Sequence, residues 1–219
     1  MHYGQKWGNP IYDWKVMEKD HFRWWKKRIR AAGSMYDVVR IDHFIGIVRY
    51  YAIPADGVPV DGAFCEGPGA KLIEAIDESI GDAKVIAEDL GVVVPGVRKL
   101  LEQSGYPGMK ILEFAFDGNK ENEYLPHNYE RNCVVYSGTH NETLLGYFDS
   151  LPEKGYTYLQ DYTGVKKREE LADAVIRLAY QSVADTVILQ MQDILKKDND
   201  ARMNLPSTIG QNWRWRLKK

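Results

Sequence analysis

The spacing of apolar residues switches between two periods along this chain, and each switch predicts an element. Residues 3–16 show no period. Gly4, Gly8, Asn9 and Pro10 break them into a loop that carries the rings of Trp7, Tyr12 and Trp14. Phe22, Trp25, Ile29 and Ala32 then recur at helical spacing, which predicts a helix over about 19–32 with Gly33 as its C-terminal stop. Residues 35–42 form a β-branched run ending in charge, the pattern of a strand buried at one end and chemically dressed at the other. Residues 50–69 hold Pro54, Gly57, Pro59, Gly62, Gly67, Pro68 and Gly69, and read as a long loop.

The alternation continues downstream. Leu72, Ile73, Ile76 and Ile80 share one face of a helix over about 70–80 that Gly81 ends. A short strand at 83–88 again finishes in a carboxylate. Pro95 opens a helix with Val97, Leu100 and Leu101 inward and Gly105 after its end. Strands are predicted at 109–116, 132–137 and 186–191, with an amphipathic helix at 167–184 placing Leu171, Val175, Leu178 and Ala179 on one side. Residues 198–219 are loop-like. Strand and helix taking turns in this way imply an α/β protein with a parallel sheet. No internal repeat, low-complexity tract or domain-separating linker interrupts it.

Composition narrows the class further. Lys plus Arg is 29 and Asp plus Glu 31, a net charge of −2. That balance lacks the positive excess a nucleic-acid or acidic-membrane binder needs. Arg23, Lys26, Lys27, Arg28 and Arg30 cluster on the first helix, and read as a solvated face in preference to a nucleic-acid patch. No run approaches the roughly 18 apolar residues that cross a bilayer. The start, Met1 to Trp7, is polar and aromatic, unlike a signal peptide. Cys65 and Cys133 lie far apart without CxxC spacing, which suits reduced thiols in the cytoplasm. The 219 residues fall slightly short of a complete (β/α)8 barrel, which takes about 250.

Candidate chemistry gathers at strand ends. Asp42 and Glu88 terminate the first and second strands, and ligands of parallel α/β sheets bind at the carboxyl ends of strands. Two carboxylates facing one mouth are the minimum for glycoside chemistry; caps or surface groups are the alternative reading. After the fourth strand comes Gly138-Thr139-His140-Asn141-Glu142-Thr143. Its His140 and Asn141 could hydrogen-bond sugar hydroxyls, or the segment could simply cap a helix beginning near Glu142. The five histidines show no metal-ligand spacing. A P-loop, a strand-borne GxGxxG and a GxSxG elbow are all missing, so no cofactor is expected.

Three segments carry a resemblance: Arg40-Ile41-Asp42-His43-Phe44, Ala87-Glu88-Asp89-Leu90-Gly91 and Ser137-Gly138-Thr139-His140. Their order and separations resemble the 4-α-glucanotransferases, or amylomaltases, of glycoside hydrolase family 77. Trp7-Gly8-Asn9-Pro10, Gln192-Asp193, Ala201-Arg202-Met203-Asn204 and Asn212-Trp213-Arg214-Trp215 support it, so the likeness covers almost the whole chain. It implies Asp42 as nucleophile, Glu88 as general acid/base, and Arg40 beside the nucleophile keeping it ionised. It places His140 on the sugar next to the cleaved bond, with His43 and Asn141 in the same motifs, and Trp7 and Asn9 at the rim of the glucan groove. Tyr50 and Tyr51 are further candidates for that groove. The implied partners are maltooligosaccharides or other α-1,4-glucans.

Two departures from the family pattern stand out. The family reads Thr-His-Asp-Asn after this strand; here Thr139-His140 is followed directly by Asn141, as though the third carboxylate were deleted. The resemblance also implies that the five strands are strands 4 to 8 of a TIM barrel. Residues 1–219 would then form the C-terminal portion of a catalytic barrel lacking strands 1 to 3, which another chain would have to complete. The alternative to an enzyme fragment is a non-catalytic glucan-binding or scaffold fragment.

Overall fold

The computed structural model describes Lys6, residues 8–91 and residues 94–217. The molecule divides into two compact units, Met1–Gly108 and Met109–Lys219.

In the first unit, α1 (Trp14–Lys19) starts on Asp13, whose side chain accepts the Val16 N–H at 3.0 Å. The single helix expected over 19–32 is two helices. His21 (φ 56) and Phe22 (φ 54) take left-handed backbone between them, and Asp20 Oδ1 accepts from the Arg23 N–H at 3.2 Å to start α2 (Arg23–Met35). Burial of the Phe22 ring, 5% exposed, offsets that break. Gly33 does not stop α2. It lies inside the helix and is glycine because a β-carbon there would stand 2.2 Å from the Ile80 carbonyl oxygen.

β1 (Val38–Ile41) pairs in parallel with β4 (Lys84–Ala87), Val38 opposite Lys84 and Ile41 opposite Ala87. Between them, the segment expected as loop contains an antiparallel hairpin, β2 (Arg49–Ala52) with β3 (Ala63–Glu66). The Pro and Gly residues sit mostly in its turn and flanks. The strands themselves show a signal in Arg-Tyr-Tyr-Ala and Ala-Phe-Cys-Glu, whose Tyr51 and Phe64 rings pack at 5.0 Å. Helix α3 (Ala70–Ile80) buries Leu72, Ile73, Ile76 and Ile80 as its period predicts, and α4 (Pro95–Ser104) buries Val97 and Leu100 before Gly105 (φ 67) turns the chain. These residues, with Phe44, Ile47 and Val85, form one core.

In the second unit, β5 (Gly108–Ile111), β6 (Cys133–Tyr136) and β7 (Thr186–Ile188) form a three-stranded sheet in that order, β6 and β7 parallel. The strands are shorter than the apolar runs predict. After Ile111 the chain makes a 3-10 turn over Leu112–Phe114, and after Ile188 it bends into α8 (Met191–Ile194). Helix α5 (Leu144–Ser150), which the sequence offers as the alternative reading of 138–143, is followed by α6 (Glu153–Thr163), which is additional. Their periods are masked by short length and by Gly155, whose β-carbon would meet the Phe116 carbonyl oxygen at 2.7 Å. Helix α7 (Arg168–Gln181) buries Leu171, Val175 and Ala179 against Leu112, Val135, Leu144 and Leu159.

Candidate active site

The parallel register of β1 and β4 continues one residue past both strands. Glu88 N–H donates to the Ile41 carbonyl at 2.9 Å, so Asp42 stands opposite Glu88 at the carboxyl ends of adjacent strands. A regular parallel ladder would next use the His43 N–H to reach the Glu88 carbonyl. Here Phe44 N–H takes that carbonyl, at 2.8 Å, because His43 adopts φ 51 and its amide swings away. The freed His43 N–H donates instead to Glu88 Oε2 at 2.5 Å. The His43 ring covers Gly46, where a β-carbon would lie 2.7 Å from Cδ2.

Arg40 and Asp42, two residues apart on one strand face, pair through Nη2 and Oδ1 at 2.7 Å, with the carboxylate 76% exposed. An exposed pair like this orients more than it stabilises. Glu88 is half-buried, and burial pushes its carboxyl above the usual range. The His43 amide pulls it back, the neighbouring Asp42 charge raises it, and Arg40 lowers it. The strand ends thus offer an exposed carboxylate beside one biased toward its protonated form. Tyr50 and Tyr51 lie on the hairpin, where Tyr51 donates its hydroxyl to the Pro59 carbonyl at 3.0 Å. Asn9 is exposed, and Trp7 lies outside the described residues.

The second unit builds the turn that follows β6. Of the two sequence readings of 138–143, the helix cap is what the turn displays. Thr143 caps α5, its hydroxyl oxygen accepting from Gly146 N–H at 3.3 Å. Ahead of that cap, His140 lies against Trp213 with ring centroids 4.9 Å apart, and its carbonyl accepts from Asn204 N–H at 2.9 Å. Asn141 Oδ1 accepts from Asn204 Nδ2 at 2.8 Å.

Residues from distant segments hold both ends of this turn. Asp193, 1% exposed, accepts from Ser137 Oγ at 2.5 Å and from Leu144 N–H at 2.8 Å. Asn199 Oδ1 accepts from Thr143 N–H at 3.0 Å, and Gln190 Nε2 donates to the Glu142 carbonyl at 3.0 Å. Glu113 lies beneath Gly138 and accepts from Thr139 N–H at 3.1 Å. Asp193 and Asn204 fall in segments that the sequence marks only as motifs, without a role. The available signal for Glu113 was a lone acid inside the largely apolar run 109–116.

Alternating strands and helices, parallel pairing, and a carboxylate pair at the strand ends place this chain among α/β proteins that gather ligands at the carboxyl ends of their strands. Comparison with known proteins refines that class. The family model described as 4-alpha-glucanotransferase, glycoside hydrolase family 77, matches residues 1–219. The chloroplastic/amyloplastic 4-alpha-glucanotransferase of Arabidopsis thaliana is 45% identical over 98% of the chain and 38% of its own length. The 4-alpha-glucanotransferase of Clostridium butyricum is 46% identical over 98% of the chain and 45% of its own length. Amylomaltase from Streptococcus agalactiae, solved in complex with acarbose, superposes with a TM-score of 0.93 at 42% identity, covering 99% of this chain and 44% of that one. The chain belongs to glycoside hydrolase family 77, the 4-alpha-glucanotransferases. It spans about two-fifths of the length of these relatives.

Proposed function

We propose that this chain carries the nucleophile and the acid/base of a retaining α-1,4-glucan transfer, as the C-terminal portion of a catalytic barrel corresponding to strands 4 to 8. The observation that carries the reading is the pairing of Asp42 and Glu88 on adjacent parallel strand ends, one exposed and paired with Arg40, the other raised. In the first step Asp42 attacks the anomeric carbon while Glu88 gives its proton to the departing 4-oxygen. A covalent β-glycosyl intermediate forms and the glycosidic bond breaks. In the second step Glu88, now ionised, takes the proton of an acceptor 4-hydroxyl. That oxygen bonds to the anomeric carbon and Asp42 leaves as carboxylate. The family motifs assign sugar binding to His140, Asn141 and His43, and the border of the glucan groove to the loop with Trp7 and Asn9. The substrates are maltooligosaccharides or other α-1,4-glucans. Cys65 and Cys133 form no disulfide with each other, which suits a reducing compartment such as the cytoplasm.

Incubating the chain with maltotriose tests this reading: transfer releases glucose together with longer oligomers, and Asp42→Asn abolishes both. A second reading, a non-catalytic glucan-binding fragment, is favoured by one observation. The position after His140, where the family places a third carboxylate, holds Asn141 tied to Asn204. Glucan binding without any product selects that reading.

A further inference from the structure

The turn that carries His140 rests on a buried carboxyl group. Glu113 sits in the 3-10 turn after β5 and is 6% exposed. Its backbone N–H donates to the Ser137 carbonyl at 3.2 Å, and its Oε2 accepts from Thr139 N–H at 3.1 Å. Between those two contacts lies Gly138. A β-carbon on Gly138 would stand 2.1 Å from Glu113 Oε1 and 2.3 Å from the carboxyl carbon. The carboxyl therefore fills the space that any other residue at 138 would need. One residue thus grips Ser137, Gly138 and Thr139 in succession, and His140 follows directly.

We propose that Glu113 is a positioning residue whose carboxyl, wedged between Gly138 and the Thr139 amide, fixes the pose of His140 at the sugar. This rests on the reading in which the turn over 137–141 meets the glucan.

The charge state of Glu113 follows from its surroundings. Burial pushes it from an ordinary 4.5 up to about 9. The Thr139 amide pulls it down, while Asp193 from α8 and Glu142 from the turn push it up. Tyr147 from α5 also faces it, and its phenol is raised by burial and by Glu113. Oε1 has no hydrogen-bond partner. A full negative charge met by one N–H is far costlier in such a site than a neutral acid. In the neutral form Oε2 is the carbonyl-type oxygen that accepts from Thr139, and Oε1 carries the proton. A glutamine reproduces that shape and acceptor without titrating.

The test follows the amide NMR signals of Gly138, Thr139 and His140 through an alkaline titration of the whole chain and of Glu113→Gln, with maltotriose affinity measured at each pH. In the unaltered chain the three signals shift with a midpoint of about 9, and maltotriose affinity falls through the same midpoint. In Glu113→Gln neither transition occurs. Signals that stay flat in the unaltered chain, or that still titrate in Glu113→Gln, overturn the proposal. Affinity that ignores the titration of the turn overturns it equally. A turn that titrates through Glu113 in a chain that binds maltotriose at no pH upholds Glu113 as the group that sets the turn, and overturns the glucan reading.

Discussion

The His43 amide donates to the Glu88 carboxylate, at 2.5 Å, because the ladder between β1 and β4 skips one residue. The skip depends on His43 holding φ 51, a backbone region that costs an L-residue roughly 1–2 kcal/mol. Glycine adopts that region freely and keeps the N–H, whereas a β-branched residue resists it. His43→Ile is therefore expected to lower stability by about 1–2 kcal/mol. It should also return the amide to the ladder, so that Glu88 loses the bond that pulls it down and titrates higher. His43→Gly keeps the Glu88 value, and its relief of the left-handed backbone is offset by the freedom glycine gains in the unfolded chain, so stability changes little. Denaturant unfolding and NMR titration of the Glu88 carboxyl read the two effects.

Burial is the main force that raises Glu88, and the Asp42 charge adds to it. Asp42→Asn removes that like charge and should lower the Glu88 midpoint, by less than about one unit because Asp42 is largely exposed. Arg40→Met should move it the other way. Folding stability responds with a definite sign. A raised acid stays protonated in the fold while the unfolded chain has already ionised, so stability falls as pH climbs from about 4.5 to the raised value. Asp42→Asn narrows that window from its upper end. Carboxyl titration and unfolding at matched pH values check both directions; an upward shift in Asp42→Asn contradicts the account.

Gly138 and Glu113 compete for one space, and a mutation cycle exposes that. Gly138→Ala drives a methyl into a carboxyl carbon 2.3 Å away and should destabilise the second unit by about 1–3 kcal/mol. Glu113→Ala alone leaves a void and frees the Thr139 amide. The double variant places the new methyl where the carboxyl was, so its cost should be smaller than the sum of the two single changes. Additive costs in thermal unfolding refute the shared space.

The carboxylate pair was legible in the sequence because it depends on strand order and register alone: two β-branched runs, each ending in an acid, in parallel neighbours. The core faces of α3, α4 and α7 were legible for a similar reason, since Leu72, Val97 and Leu171 repeat at the helical period. What stayed hidden depends on contacts between distant segments. Gly33 looks like a helix stop until Ile80 is placed against it. The hairpin over Arg49 to Glu66 was obscured by seven Pro and Gly residues in and around it. Glu113 and Asp193 read as ordinary charges, and only the folded chain brings them to the turn at 137–144.

Strand edges bear on assembly. Among the described residues β1 pairs with β4 alone, and next to its open edge Met35, Tyr36 and Val38 are 67%, 62% and 45% exposed. An unpaired edge flanked by apolar side chains is a template for another strand. The chain should therefore associate with itself, or with a segment that supplies the neighbouring strand, as concentration rises. Size-exclusion chromatography with light scattering measures this. A sharp monomer over a wide concentration range, unfolding in one cooperative step, contradicts it.

The turn after β6 is pinned on both sides of one peptide bond. Asn204 N–H holds the His140 carbonyl, and Asn204 Nδ2 holds the Asn141 side chain. Beyond it, Gln190, Asn199 and Asp193 fix Glu142, Thr143 and Leu144 in turn. An aspartate inserted between His140 and Asn141 cannot be absorbed by sliding α5, whose start is fixed. The extra residue must bulge out of the turn and displace the Asn141–Asn204 bond. That bulge puts a carboxylate back where the family motif has its third one, able to accept from sugar hydroxyls as the reacting ring flattens. Hydrogen bonds that strengthen only in the transition state are worth about a hundredfold in rate or more. The insertion should thus raise glucose release from maltotriose by at least about that factor over the unaltered chain. An equal rate in the two chains means that the turn as it stands, without the third carboxylate, is not what limits turnover.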